Sequence, residues 1–302
     1  MTGDGGGFVD THLHLWDLDR YRYPWLGDAG CEPLRHNYLV ADWRSDAAGV
    51  NIAATVHVQA ELDHARDPVV ETAWLASLST NGTRVPTVCV GYADLRAPHL
   101  DDVLDRHQGH ALFRGIRQLA WYDPRSDRAD VPRYNLLDDP SWVAGLDRLA
   151  ARGLSFELQV WPHQLDQAAE IFRTRAGLPV VLEHTGLPDV SDPDRRARWL
   201  DGLRRFAEQV PRSVLKISAL RQVSPTWSAA ELTPVVHEAI AAFGPDRCMF
   251  GSNFPVDSLA TSYRGLWHTY AEMIAEYSPA ERDRMLRTTA LRVYRIDGPL
   301  GG

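Results

Sequence analysis

Phe8-Val9-Asp10-Thr11-His12-Leu13-His14-Leu15-Trp16 is a mostly apolar run that reads as a β-strand. Strict alternation predicts Asp10, His12 and His14 on one face and Val9, Thr11, Leu13 and Leu15 on the other. Two imidazoles then converge at the end of the run. Imidazole nitrogens ligate zinc and related metals, and without a metal they bind or pass protons near neutral pH. The pair lies at the carboxyl end of the first predicted strand, where an α/β barrel assembles its active site.

Seven further β-rich runs follow: 52–59, 85–92, 111–119, 154–161, 178–184, 213–220 and 248–253. Between them, segments such as 67–79, 140–152, 164–175, 194–210 and 233–243 carry apolar residues at three- and four-residue spacing and read as helices. Asp139-Pro140 at one start and Gly153 beyond one end match cap and stop chemistry. Eight strands alternating with helices, with no break in composition, predict an α/β chain folded as a single (β/α)8 TIM barrel over residues 1–302. Two segments exceed ordinary loop length, 17–41 after the first strand and 120–139 after the fourth, and long loops of this kind belong to the functional face. The first holds Tyr21, Tyr23, Pro24, Trp25 and Leu26, an aromatic patch that reads equally as a plug of the rim or as a substrate wall.

A length of 302 residues with 44% hydrophobic residues suffices for a full core. The formal net charge of −8, without a basic run, argues against nucleic acid and anionic membranes as partners, so a small-molecule substrate is expected. No apolar stretch approaches the roughly 20 residues of a membrane span, and the start lacks signal-peptide character, so a cytoplasmic location is expected. Cys31, Cys89 and Cys248 show no paired spacing. Lys216 is the only lysine.

Polar residues recur at the predicted strand ends: His57, Gln59 and Glu61; Arg117; Glu157 and Gln159; Glu183 and His184; Lys216 and Ser218; Ser252 and Asn253. Such a ring costs too much buried polarity unless it faces water or a ligand. Trp25, Gln59, Arg117, Gln159 and Lys216 are the candidates for holding a substrate. Arg117 suits bidentate carboxylate binding, and for both Arg117 and Lys216 a salt bridge to Glu157 or Glu183 is the structural alternative.

Seven motifs in order, Val9-Asp10-Thr11-His12-Leu13-His14, Pro24-Trp25-Leu26, Val58-Gln59-Ala60-Glu61, Gly115-Ile116-Arg117-Gln118, Val180 to Pro188, Lys216-Ile217-Ser218 and Met249 to Asp257, span nearly the whole chain. Together they resemble the amidohydrolase superfamily, in its branch of sugar lactonases and dicarboxylate or muconolactone lactonases. The resemblance implies a distorted (β/α)8 barrel that opens a lactone or related carboxylic ester by attack of an activated water. His12, His14 and His184 match the histidines that, in such enzymes, either hold a divalent metal, zinc foremost, or hydrogen-bond the carbonyl without one. Arg117 and Lys216 look similar to cationic residues that hold a carboxylate or polarise a carbonyl, which allows an anionic or a polyhydroxylated substrate.

Two positions depart from that pattern. Asn253 stands where the family carries the aspartate that takes a proton from water, and Gln159 stands where many metal-dependent relatives carry histidine. An amide cannot accept that proton at neutral pH, though its oxygen can ligate a metal or orient a hydroxyl. The base role would pass to a histidine or to Glu61, Glu157, Glu183 or Asp257, the last lying beyond Pro255 and expected outside the pocket. Catalysis is expected of His12, His14, His184 and Asn253. The alternative to hydrolysis is an isomerase, cyclase, dehydratase or decarboxylase in the same barrel, and the third reading is a non-catalytic binding relative.

Overall fold

The computed structural model describes residues 6–79, 85–125 and 133–297. Each of the eight expected runs contains one strand: β1 (Phe8–Leu13), β2 (Ile52–Val58), β3 (Val88–Gly91), β4 (Phe113–Arg117), β5 (Ser155–Leu158), β6 (Val180–Leu182), β7 (Val214–Ile217) and β8 (Cys248–Phe250). All pair in parallel in the order β1 to β8. Just past β8 the sheet meets its own first strand, where Asn253 N–H donates to the His12 carbonyl and His14 N–H to the Phe254 carbonyl, each at 2.7 Å. The result is a nearly closed (β/α)8 barrel whose seam runs through the candidate site.

The helices are α1 (Val40–Asp46), α2 (Val70–Ser79), α3 (Leu100–Gln108), α4 (Pro140–Ala151), α5 (Leu165–Phe172), α6 (Pro193–Gln209), α7 (Ala229–Phe243), α8 (Tyr263–Met273), α9 (Pro279–Asp283) and α10 (Thr289–Tyr294). The α4 start follows the expected chemistry: the Asp139 carboxylate accepts from Ser141 N–H at 2.8 Å, and Pro140 opens the helix. Gly153 leaves it at φ +64°, a conformation that favours glycine. Among the described residues no helix is long and apolar enough to cross a membrane.

Alternation sorts the strands into two layers. Val9, Val56, Val88, Val181, Val214 and Met249 form one buried cluster with Ala290 and Tyr294 of α10, which lies across the amino-terminal end of the barrel. Leu13, Cys89, Ile116, Phe156, Leu182 and Leu215 belong to the second, larger cluster that the helices cover. The first long loop supplies part of that core, with Tyr23 and Leu26 buried and Trp25 half-buried. Of the second, residues 126–132 lie outside the described residues.

The pairing register shifts between Phe8 and Val9, between Asp10 and Leu13, and between Cys89 and Val90, and the second of these shapes the site. Between Asp10, paired with Thr55, and Leu13, paired with His57, β1 spends three residues where β2 spends two, a β-bulge. Asp10 therefore does not share a face with His12. Its carboxylate accepts from Ser252 Oγ at 2.6 Å and from the Tyr263 hydroxyl of α8 at 2.9 Å, outside the barrel.

Candidate active site

The bulge turns His12 inward at the carboxyl end of β1. Its backbone is approached by Gly251, where an added Cβ would lie 2.6 Å from His12 Cβ, so only glycine admits the seam at that level. His14 follows directly and its Nδ1 lies 2.8 Å from the Val58 carbonyl. A carbonyl only accepts, so Nδ1 carries the hydrogen and Nε2 presents a lone pair. That lone pair faces His12 Nε2 at 3.2 Å.

Two tautomers of His12 satisfy this arrangement. His12 Nδ1 stands 3.5 Å from Lys216 Nζ and 3.1 Å from Glu183 Oε1, with the carboxylate off the ring's N–H direction. If Nδ1 accepts from the ammonium, His12 Nε2–H donates to His14; if Nδ1–H turns to the carboxylate, two lone pairs face each other and need a cation between them. Two ligands about 2.05 Å from a tetrahedral zinc are about 3.3 Å apart, so the spacing fits an ion as well as a proton. His12, Glu183 and His184 also offer ligand atoms that lie within 4.8 Å of one another. The donor set is thus chemically suited to one divalent ion.

Burial pushes the pKa of His12 and His14 well below the usual histidine value and that of His184 to about 4. All three are neutral at pH 7, the form that ligates metals. His184 is fixed by Ser218, whose Oγ is 3.0 Å from Nδ1.

Beneath the histidines lies a sealed charge stack. Lys216 Nζ donates to Glu157 Oε2 at 2.7 Å and stands 3.6 Å from Glu183 Oε1, while Arg117 pairs with Glu183 Oε2 at 3.3 Å and donates to the Gln59 carbonyl. Tyr294 closes it from below, its hydroxyl donating to Glu157 Oε1 at 2.6 Å. Two carboxylates and two fixed cations balance. Burial would raise Glu183, but the charges of Arg117 and Lys216 oppose it and its pKa lies well below the carboxylate range; burial carries Glu157 up to about 7 despite Lys216.

The structure brings His12, His14, His184, Arg117 and Lys216 together, yet Lys216 is wholly enclosed and as placed offers no face to a bound molecule. Gln59 is likewise enclosed, its amide exchanging hydrogen bonds with Glu61. Trp25 is tethered at the rim, its Nε1–H donating to the Ala60 carbonyl at 2.8 Å. Gln159 is buried with Oε1 unpartnered, as are Arg117 Nε and Trp161 Nε1. His57 points outward, in register with Leu13 and Cys89; it accepts from Leu15 N–H at 3.1 Å and approaches Glu71 of α2 at 3.4 Å.

Asn253 Nδ2 donates to Asp257 Oδ1 at 2.9 Å, which leaves Oδ1 as the amide's acceptor. Asp257 is thus enclosed directly behind Asn253. Burial raises its pKa to about 7. Four non-glycine residues at strand exits, Glu61, His184, Ala219 and Asn253, each take φ +55°, backbone strain of the kind that collects at functional sites. Tyr294, bonded to Glu157, and His64, whose Nε2 lies 3.2 Å from Glu61 Oε2, carry no sequence signal of the site, whereas Ser218 and Glu183 are among the polar strand-end residues expected from the sequence.

Residues 9–296 match the Amidohydrolase family. An L-fucono-1,5-lactonase of Burkholderia multivorans is 33% identical over 305 residues, covering 96% of this chain and 97% of the relative. A Sinorhizobium fredii protein, uncharacterized protein y4mH, is 36% identical over 296 residues, 95% of this chain and 98% of that one. The crystal structure of an amidohydrolase from Burkholderia multivorans with bound zinc superposes with a TM-score of 0.82 at 31% identity, covering 97% of this chain and 100% of that one.

Proposed function

The chain belongs to the amidohydrolase family and is a hydrolase, and we propose that the bond it breaks is the ester bond of a lactone ring on a small molecule. The observation that carries this reading is the convergence of two facing imidazoles, 3.2 Å apart, with a buried guanidinium whose Nε has no partner. Similarity to an L-fucono-1,5-lactonase over nearly the whole chain supports it.

In this reading the lactone carbonyl lies against His12, His14 and Arg117. Arg117 Nε–H donates to the carbonyl oxygen as negative charge builds on the tetrahedral intermediate. Glu183 fixes that guanidinium from behind. Asn253 Oδ1, set by the bond from Nδ2 to Asp257, accepts from the attacking water and orients it. A divalent ion held by His12 and His14 with His184 beside them would supply Lewis acidity and a more acidic water.

The charge balance argues for a neutral, polyhydroxylated ring over a dicarboxylate. Arg117 and Lys216 are already neutralised by Glu183 and Glu157, so a substrate carboxylate would find no uncompensated cation there. The unpartnered atoms of the mouth, Gln159 Oε1 as acceptor and Trp161 Nε1 as donor, suit hydroxyl groups.

A panel of sugar, muconate-type and pyrone lactones, followed by proton release, tests the reading. Ring opening of sugar lactones is expected. A parent that opens none of them while converting another substrate class removes it. Asn253→Asp adds a second measure: faster lactone opening supports hydrolysis, and loss of a different native activity favours chemistry built around the amide.

A further inference from the structure

Hydrolysis needs a proton acceptor, and the carboxylates of the mouth differ sharply in access to it. Glu157 and Glu183 are 0% exposed and Asp257 is 1%. Glu157 and Glu183 face fixed cations and Asp257 faces the Asn253 amide. The three histidines are already engaged, His14 Nδ1 with the Val58 carbonyl, His12 with His14, Lys216 and Glu183, and His184 Nδ1 with Ser218 Oγ. Glu61, in the turn after β2, is the exception, with 13% of its side chain exposed.

Glu61 is a built feature. Its backbone is held at φ +55°, Gln59 pins it by a reciprocal pair of hydrogen bonds, and His64 Nε2 meets its Oε2 at 3.2 Å. The His64 ring lies flat on Tyr92, centroids 3.8 Å apart and planes 6° apart, with 44% of its side chain exposed. A hydrogen-bonded line therefore runs from Gln59, whose carbonyl Arg117 holds, through Glu61 to an imidazole open to solvent.

We propose that Glu61 is the proton acceptor of this site and that His64 is the positioning residue that holds its carboxylate and carries the proton to solvent. The proposal rests on the lactonase reading. Water adds to the lactone carbonyl as its proton passes to the Glu61 carboxylate; the ring C–O bond then breaks and the alkoxide takes that proton back. The new carboxylic acid ionises, and its proton leaves through Glu61 and His64, so lactone and water become a hydroxycarboxylate and one proton. Glu61 faces His64 and Arg117; His64 faces Glu61, Asp63, Glu71 and the ring of Tyr92. Burial opposes both charges, but the mutual hydrogen bond and attraction outweigh it, lowering Glu61 and raising His64.

The test uses the full chain and the lactone it opens fastest. Glu61→Gln is expected to lower kcat about 100-fold or more, the scale of general-base catalysis, with KM within about threefold. His64→Asn is expected to move the acid limb of kcat/KM to higher pH, since loss of the imidazolium lets the Glu61 pKa rise; a purely structural role would leave the limb in place. Should Glu61→Gln not fold, Glu61→Asp, which withdraws the carboxylate by one methylene, is expected to lose at least about tenfold in kcat. An active parent whose Glu61 variants keep kcat within about threefold, or whose limb ignores His64→Asn, overturns the proposal alone. A parent that opens no lactone removes the reading beneath it.

Discussion

At the floor of the barrel Val9, Val181, Val214 and Met249 pack on Ala290 and Tyr294 with no charge among them. One alternation further along the same strands the interior holds His12, Lys216 and Glu183, equally buried and all charged or titratable. The floor coheres by dispersion and water exclusion, so each side chain there is replaceable by another of similar shape. The mouth coheres by pairing, so each member is hostage to its partner. Burial alone therefore says little about what a substitution will do; the kind of contact decides.

The sharpest separation of the two ends is expected from His12→Ala and His14→Ala. Each should lower kcat/KM about a thousandfold, within the range for loss of a proton-transfer or metal-ligating group. Both rings are buried, so each truncation also opens a cavity and lowers the melting temperature, and the loss of kcat/KM is read at a temperature where the variants stay folded. Elemental analysis of the same proteins measures the metal: zinc present in the parent and gone in both variants assigns the pair as ligands. A metal-free parent with full activity leaves the pair to hydrogen-bond the carbonyl instead.

Glu183→Ala strikes the pairing itself. Arg117 would then be buried with its carboxylate partner gone and Lys216 with one of its two, and the expected loss is about 3–5 kcal/mol of stability in urea denaturation. Val214→Ala at the floor removes two methyl groups and should cost about 1–3 kcal/mol with kcat unchanged. Equal losses from the two substitutions would dissolve the distinction between the ends.

Asp257 tests the mouth by pH. Its native pKa of about 7 lies above the ordinary unfolded value near 3.9. Between those values the native state binds the extra proton, so this group's contribution to stability falls as pH rises through the window. Asp257→Asn should remove that slope, visible as a smaller drop in melting temperature from pH 5 to pH 8. The new amide oxygen still accepts from Asn253, so kcat should stay within about threefold. An unchanged slope would assign the acidity of the window elsewhere.

These ends were not equally legible in the amino-acid sequence. The floor is a matter of period: Val at alternate positions of eight short runs places strands and interior alike, and every expected run contains a strand. The mouth is a matter of exceptions to period. The bulge in β1 leaves no mark in a hydrophobic pattern, which is why Asp10 reads as a companion of His12 although it bonds Ser252 and Tyr263 outside the barrel. His57 reads as part of the polar ring for the opposite reason, since alternation from Gln59 ignores that Gln59 lies beyond the last paired residue of β2. The partners of Arg117 and Lys216 were within reach, Glu157 and Glu183 being the acids on the two strands between them, but the pairing crosses over: Arg117 reaches past β5 to Glu183 and Lys216 past β6 to Glu157. Tyr294 was not, because contact between the last helix and the fifth strand depends on how the barrel closes.

Tyr294 is also where the two ends touch, and it makes the finest test of their separation. Its ring packs in the floor cluster and its hydroxyl donates to Glu157, two ionic contacts below His12. Tyr294→Phe keeps the packing and removes one hydrogen bond to a carboxylate, worth about 1–3 kcal/mol of stability. Burial already lifts Glu157 to about 7, and without the phenol it should rise further and take up a proton at neutral pH. Lys216 would then lean on Glu183 alone. If the ends are separable, kcat stays within about threefold, because Glu183 keeps Arg117 and His12 in place. A kcat loss of tenfold or more, with the melting temperature down only a few degrees, would mean that the stack transmits the floor to the chemistry and that the division at Glu157 is drawn one layer too high.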